Sequence, residues 1–492
     1  MYNGRYNEKK HMVNIEKIIN NKKVFQNLYG SNTQLIDLKK KLLLKLWYKF
    51  TLLFNGKRCE NLSVVLVPNR VEILGKHTDY QGGRTLLLTG PKSFISIAYR
   101  CAGSEKENIY EFVNLNEEYG KIKIIQNKDR GIKVLEKGFG WQYSKTVINR
   151  MLSNFSTFKI DPIKSVFYGD APVGGGTSGS SAKLIMDFLN IASTNTLLNN
   201  RHFIETIIEN GKLAGIIYNQ KDVDNFRLAL SMYLANYENG LDYGRLKGDR
   251  GVGTFGGSED HTAILLGERD KILLSSYCPT KVIRRINWPK RYTLIVAFSG
   301  RKAEKTINTR EKYNRLSLMA SEAVKILNEI NHTNYSMLRD FFKDLSPQEK
   351  PDKALSQLKE AGYRELGERI YQFYKEEEII NNAIECLYKN NLYDFGQYLD
   401  KSHELSKLYL KNIVEEIDFL QKSAKRLGAI GSSGFGAGFG GSCYALVKKG
   451  DEDEFIKEWE NLYINNYPQY QGIAQFDVYP PCAGAYWEVI DG

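Results

Sequence analysis

No apolar run in this 492-residue chain approaches the length needed to span a bilayer. Its six cysteines, Cys59, Cys101, Cys278, Cys386, Cys443 and Cys482, lie far apart with no CxxC pair, which suggests neither a zinc site nor a disulfide framework. The first stretch, "MYNGRYNEKKHMVNIEKI", lacks a sustained apolar segment ahead of a small-residue cleavage site, so a cytoplasmic address is expected. Fixed-period repeats and low-complexity linkers are also missing, and the lobes are therefore expected to share an intimate interface. The net charge of +12 comes from 69 basic and 57 acidic residues. It is compatible with nucleic-acid binding or with attraction of anionic metabolites. The basic residues are spread out and no nucleic-acid module accompanies them, so neither a nucleic-acid nor a membrane partner is expected. Composition leaves the oligomeric state open.

What is present is a long chain with 42% hydrophobic residues, enough to bury two or more cores. Residues 13–55 have helical apolar spacing, and "LKKKLLLKLWYKF" reads as an amphipathic helix whose lysines form its wet face. "SVVLVPNRVEIL" and "GRTLLLTGPKSFISIAYR" read as strands flanking the polar run "LGKHTDYQGG". "KSVFYGDAP" reads as a strand leading into "VGGGTSGSSA", after which "KLIMDFLNIAS" is helical. "KILLSSYCP" and "RYTLIVAFSG" read as further buried strands. From Ala303 to Arg426 the chain is charged and mostly helical, with a break at "SPQEKPDK", and a second glycine run, "GAIGSSGFGAGFGGSCYALVKKG", precedes a helix-like "DEFIKEWENLYINNY".

"PVGGGTSGSSAK" contains G-x-G-x-x-G at Gly174, Gly176 and Gly179, but it lacks the lysine a Walker-type loop needs directly after its last glycine. Ser180 stands there, and Lys183 comes too late. The physics shared by such loops remains: glycines allow close backbone approach, and amides at a helix start face an anion such as phosphate. Serine hydroxyls there can also reach Mg2+, which takes oxygen ligands. Read locally, "LGKHTDYQGG" is either a solvated turn or a cluster of ligands, because polar residues commonly end a strand.

Three stretches resemble one family. "VPNRVEILGKHTDYQGG" is similar to the sugar-binding signature of galactokinases, "PVGGGTSGSSA" to the phosphate loop of the wider GHMP small-molecule kinases, and "GFGAGFGGSCYALV" to that superfamily's third motif. They occur in the right order, and the resemblance spans roughly residues 25 to 450. It implies a two-lobed α+β fold with the active site between lobes, 1–289 forming the first and 290–492 the second. The activity implied is an ATP- and Mg2+-dependent sugar 1-kinase. Other readings are a kinase for a pentose or heptose, or a non-catalytic galactokinase-like sugar sensor.

The resemblance also implies roles. Asp260 matches a base or electrostatic partner beside the anomeric hydroxyl, and Arg70 the arginine that pairs with it and faces the transferred phosphoryl group. Gly174, Gly175, Gly176, Thr177, Ser178, Gly179, Ser180 and Ser181 match the phosphate loop, Ser180 and Glu238 magnesium ligands, and His77, Asp79 and Tyr313 sugar contacts. Without the resemblance, Asp260 reads equally as a helix cap, Arg70 as one half of a surface ion pair, Glu238 as an exposed helix end and Tyr313 as core. Galactokinases carry glutamate where this chain has Lys76. Lysine has three donors and no acceptor, so it suits a carboxylate better than a hydroxyl. A uronic acid such as galacturonate is therefore expected, with Arg84 as a second positive charge; galactose is the alternative, with Lys76 turned toward Glu72 or solvent.

Overall fold

The computed structural model describes residues 15–54, 60–104, 106–127, 131–218, 221–303, 307–345, 349 and 351–490. Cys59, residues 1–14 and part of "SPQEKPDK" lie outside the described residues. In chain order the strands are β1 (Glu60–Leu74), β2 (Arg84–Arg100), β3 (Glu107–Asn114), β4 (Lys121–Asn127), β5 (Gly131–Lys137), β6 (Ile163–Gly169), β7 (Lys271–Ser276), β8 (Lys281–Asn287), β9 (Tyr292–Phe298), β10 (Gly431–Gly434), β11 (Ser442–Lys448), β12 (Gln475–Tyr479) and β13 (Tyr486–Ile490).

The first sheet runs β13-β1-β2-β6-β3-β4-β5, with β7 paired to the other half of β2 and β8 beyond it. β3 and β6 are parallel, and the remaining pairs are antiparallel. Period-two alternation sends Val65, Val67, Phe94 and Ala98 to one face, where helix Gly179–Thr194 packs. Leu62, Val64, Leu66, Ile95, Ile97 and Tyr99 point to the opposite face, which helices Lys22–Tyr29 and Thr33–Phe54 cover. Both faces of β1 are thus buried, which explains the unbroken apolar text "SVVLV". Helix Thr33–Phe54 seats Leu43, Leu46, Phe50 and Phe54 inward, the last two edge-on to Tyr99 at 5.5 and 5.4 Å. One expected wet-face lysine is not wet. Lys39 is 0% exposed and donates to Ser93 Oγ at 2.9 Å and to Asp170, because its position falls on the buried stripe and a carboxylate there compensates its charge.

The second sheet, β10-β11-β9-β12, is antiparallel. Helices Glu415–Arg426 and Glu452–Asn466 cover one of its faces through Ile295, Ala297, Cys443 and Ala445. Its other face, Leu294, Val296, Tyr444 and Leu446, joins Val71, Ile73, Leu86 and Leu274 of the first sheet and helices Arg364–Tyr388 and Leu392–Leu405 in one apolar cluster. The two halves therefore share a core. The boundary expected after residue 289 falls between β8 and β9, and the final strand crosses back to pair antiparallel with β1. The architecture is α+β, and no described helix is long and apolar enough to cross a membrane.

Candidate active site

Where the halves meet, a cavity of about 650 Å³ opens between β1, the glycine loop after β6, helix Glu259–Leu266 and the 436–437 turn. At its floor Arg70, on β1, holds Asp260 through Nε at 2.8 Å and Nη2 at 2.7 Å, while Nη2 also reaches Glu259 at 3.2 Å and Nη1 donates to Gly176 O at 2.9 Å. Burial alone would weaken the guanidinium's hold on its proton, but Asp260, Glu259 and Glu72 reverse this and hold it above its ordinary range. Asp260 lies in the first turn of its helix, where Ser258 is the N-cap residue, and it lines the cavity. Four fixed donors of one arginine thus tie a carboxylate from one element to the phosphate loop of another.

That loop leaves β6 at Gly169 and opens helix Gly179–Thr194, so its amides face the cavity at a helix start. Gly174, Gly175, Gly176, Ser178, Gly179, Ser180 and Ser181 line the space. Thr177 does not: its Oγ1 and carbonyl accept from Asn69 Nδ2 at 2.8 and 2.9 Å, so the residue braces the loop from behind. The glutamate expected beside magnesium, Glu238, accepts from Ser181 Oγ at 2.9 Å, and the same hydroxyl is 3.3 Å from Asp260. The serine that meets Glu238 is thus Ser181, with Ser180 on the same wall. The second glycine run packs on the first: a Cβ at Gly436 would lie 2.5 Å from Gly176 O, so the close approach requires glycine.

The half of the cavity expected to take the sugar is built by the run 74–83. His77 Nε2 faces Ala437 O at 3.3 Å, and a carbonyl only accepts, so Nε2 carries the ring proton. Nδ1 then accepts from the Tyr80 hydroxyl at 3.0 Å, which Arg369 Nη2 holds at 3.0 Å. Burial and the Arg369 charge push the imidazolium down to about 3, so this ring is neutral. Tyr313 lies against it, ring centres 5.3 Å apart. Asp79 accepts the Tyr80 and Glu259 amides at 2.9 and 3.3 Å, and a Cβ at Gly257 would stand 2.1 Å from its Oδ2.

Lys76 is turned away from this wall. It is 1% exposed and does not line the cavity, and its Nζ donates to Ser402 Oγ at 2.7 Å, whose hydroxyl meets Glu376 at 2.7 Å. Glu376 also takes the amides of Gly75 and Lys76 at 2.8 and 3.4 Å, so a buried carboxylate on helix Arg364–Tyr388 claims the ammonium side of this turn. Arg84 is likewise spent, on Glu377 at 2.7 Å and Asn381 at 2.8 Å. The expected carboxylate clamp is not formed.

Burial, then the Asp260 charge, raises the Asp79 carboxyl to about 7, against two backbone amides that pull it down. A carboxyl raised in the native state binds more protons there than in the unfolded chain, so stability falls as pH rises between its unfolded and native values. Thermal midpoints of the ligand-free protein are expected to drop from about pH 5 to about pH 8, less steeply in Asp79→Asn. Parallel pH curves for the two proteins would refute the assignment.

Sequence reasoning missed Glu72 and Glu259, which line the cavity, and the helical face Arg369, Gln372, Glu376 and Glu377 that grips the 76–84 main chain from nearly three hundred residues away. It also missed an aromatic basin beyond the phosphate loop, where Tyr119, Phe139, Tyr143 and Tyr168 stand with Asn116 and Gln142. A hint existed only for the helical face, whose members recur at helical spacing.

A family profile described as "GHMP kinases C terminal" matches residues 383–465. Galactokinase from Clostridium tetani is 26% identical over 409 residues, covering 80% of this chain and 86% of its own. Galactokinase from Pyrococcus furiosus is 26% identical over 385 residues, 78% of this chain and 88% of its own. The crystal structure of Lactococcus lactis galactokinase complexed with galactose matches the fold with a TM-score of 0.69 at 22% identity, across 89% of this chain and 98% of that one. Residues 383–465 thus match the GHMP kinase C-terminal family, and about four-fifths of the chain is similar to galactokinases, which supports a sugar kinase.

Proposed function

We propose that the protein transfers the γ-phosphoryl group of ATP to the anomeric hydroxyl of an aldose. The observation that carries this reading is the Arg70–Asp260 pair, tied to the phosphate loop at Gly176 O and facing one cavity. The sugar O1 attacks the γ-phosphorus; the new O1–P bond forms as the bond to the β,γ-bridging oxygen breaks. ADP leaves with that electron pair, and the O1 proton passes to Asp260. Arg70 faces the charge that builds on the transferred oxygens, and the loop amides hold the remaining phosphates. The aromatic basin with its two amide side chains suits a purine, whose faces stack and whose edge takes hydrogen bonds.

Ser181, Ser180 and Glu238 supply only hard oxygen donors, which fits Mg2+. When bound, the ion would neutralise phosphate charge. His77, Asp79 and Tyr313 are the sugar contacts in this reading. Because Lys76 and Arg84 are engaged elsewhere, neither is free to favour a uronate over a neutral aldose, and similarity to galactokinases makes galactose the reference sugar.

The test is coupled ADP release from purified protein with magnesium-ATP on galactose, galacturonate, methyl galactoside and a sugar-free control. ADP release is expected with a free anomeric hydroxyl and none with the methyl glycoside; release with the glycoside would refute anomeric transfer. Lys76→Met is expected to leave the ratio of galactose to galacturonate turnover unchanged, and a selective loss on galacturonate would restore the clamp.

A further inference from the structure

The sugar half of the cavity holds more acid than its surroundings balance. Glu72 is 1% exposed, lines the space and accepts the Gly436 amide through Oε2 at 2.7 Å. Asp79 meets backbone amides, and Glu259 has one oxygen on Arg70 at 3.2 Å while its buried Oε2 has no hydrogen-bond partner. The Thr254 hydroxyl, on the same cavity wall and 3% exposed, is buried without a partner as well. Arg70 is the one lysine or arginine among the described lining residues, and Asp260 and Glu259 already share it. His77 is neutral. Lys76, the nearest lysine in sequence, lies behind the wall on Ser402, and of the three carboxyls its charge pulls down Glu72.

We propose that the sugar accepted here is an amino sugar, an aldose with a protonated primary amine whose ammonium group lies against Glu72, Asp79 and Glu259. This rests on the kinase reading above. A hydroxyl brings one donor and no net charge, whereas an ammonium brings three donors and a full positive charge to a wall of three carboxyls. Burial raises all three carboxyls, and neighbouring acids push Asp79 and Glu259 further up, the repulsion a cation between them would relieve. A uronate would instead place a fourth carboxylate beside them. The amine is a bystander in the chemistry: O1 still attacks the γ-phosphorus, ADP departs, and the O1 proton goes to Asp260.

The full-length protein with magnesium-ATP is assayed on D-galactosamine, 6-amino-6-deoxy-D-galactose, D-galactose, N-acetyl-D-galactosamine and D-galacturonate. An amino sugar is expected to exceed galactose in kcat/KM by about tenfold, the size of one charge-assisted contact. Galacturonate should be poorest. Glu72→Gln, and independently Glu259→Gln, should lower the ratio of amino sugar to galactose by about tenfold, a comparison within each folded variant that a general loss of activity does not move. Galactose equal to or better than both amino sugars overturns the proposal while leaving the kinase intact, as does a ratio unchanged in both variants. No ADP release on any sugar overturns the kinase reading and this one with it.

Discussion

Replacing Asp260 by asparagine is expected to lower kcat by about two to four orders of magnitude, the range associated with loss of a positioned proton acceptor. Asparagine keeps the shape and leaves an oxygen for Arg70, so the contacts at 2.7 and 2.8 Å lose charge but not geometry. What disappears is the acceptor for the O1 proton and the negative charge against which a developing alkoxide is held. The fold should survive, since Asp260 sits in a crowd of Asp79, Glu259 and Glu72, and removing one negative charge relieves repulsion there. Thermal-shift titration with magnesium-ATP gives the binding readout and coupled ADP release the turnover. Turnover within a few-fold of the parent protein would sink the role given to Asp260.

Arg369→Met is expected to be the most damaging substitution far from the phosphate loop. Arg369 is fully buried and donates to Leu316 O at 3.3 Å, Gln372 Oε1 at 2.5 Å, His77 O at 2.5 Å and the Tyr80 hydroxyl at 3.0 Å. Methionine fills much of the space but donates nothing, and it removes the side-chain donor from the His77 carbonyl, the Gln372 amide oxygen and the Tyr80 hydroxyl. A loss of about 2–4 kcal/mol follows. The functional consequence is sharper than the energy suggests. Without Arg369, the His77 carbonyl and the Tyr80 hydroxyl lose the donor that holds them, so the position of the His77 ring relaxes. KM for the sugar should rise more than KM for ATP, because the arginine braces the 74–83 run and not the loop at 174–181. Equal changes in both would show a general loss of packing instead.

The parts of this molecule that could be read along the chain are those whose cause is local. β1 and β2 announce themselves by short apolar runs rich in β-branched residues, and the strand, glycine loop and helix from Ile163 to Thr194 by glycines between two apolar runs. Residues chosen from short motifs, Arg70, His77, Asp79, Ser180, Glu238, Asp260 and Tyr313, all lie around one cavity. The resemblance to a family picked them out, since residue type and spacing alone left Asp260, Arg70, Glu238 and Tyr313 open to structural readings, and Lys76 and Thr177, taken from the same motifs, do not line the cavity. Strands β3 and β4 and the edge strand β5 were not marked, since their alternation is short and mixed with charge.

Orientation belonged to the tertiary structure. Lys39 and Lys76 look like solvent and ligand lysines in the text, yet each ends on a buried partner from elsewhere in the chain, Asp170 and the Ser402–Glu376 pair. A long flexible side chain goes where a compensating charge or acceptor is buried, and that partner can be hundreds of residues distant. The same holds for the acid wall of Glu72, Asp79 and Glu259, which comes from β1, the turn after it and a helix start nearly two hundred residues later. Motif chemistry thus set the reaction class, because phosphoryl transfer needs particular groups. The cluster of carboxyls arose only when three separate elements were folded against one cavity.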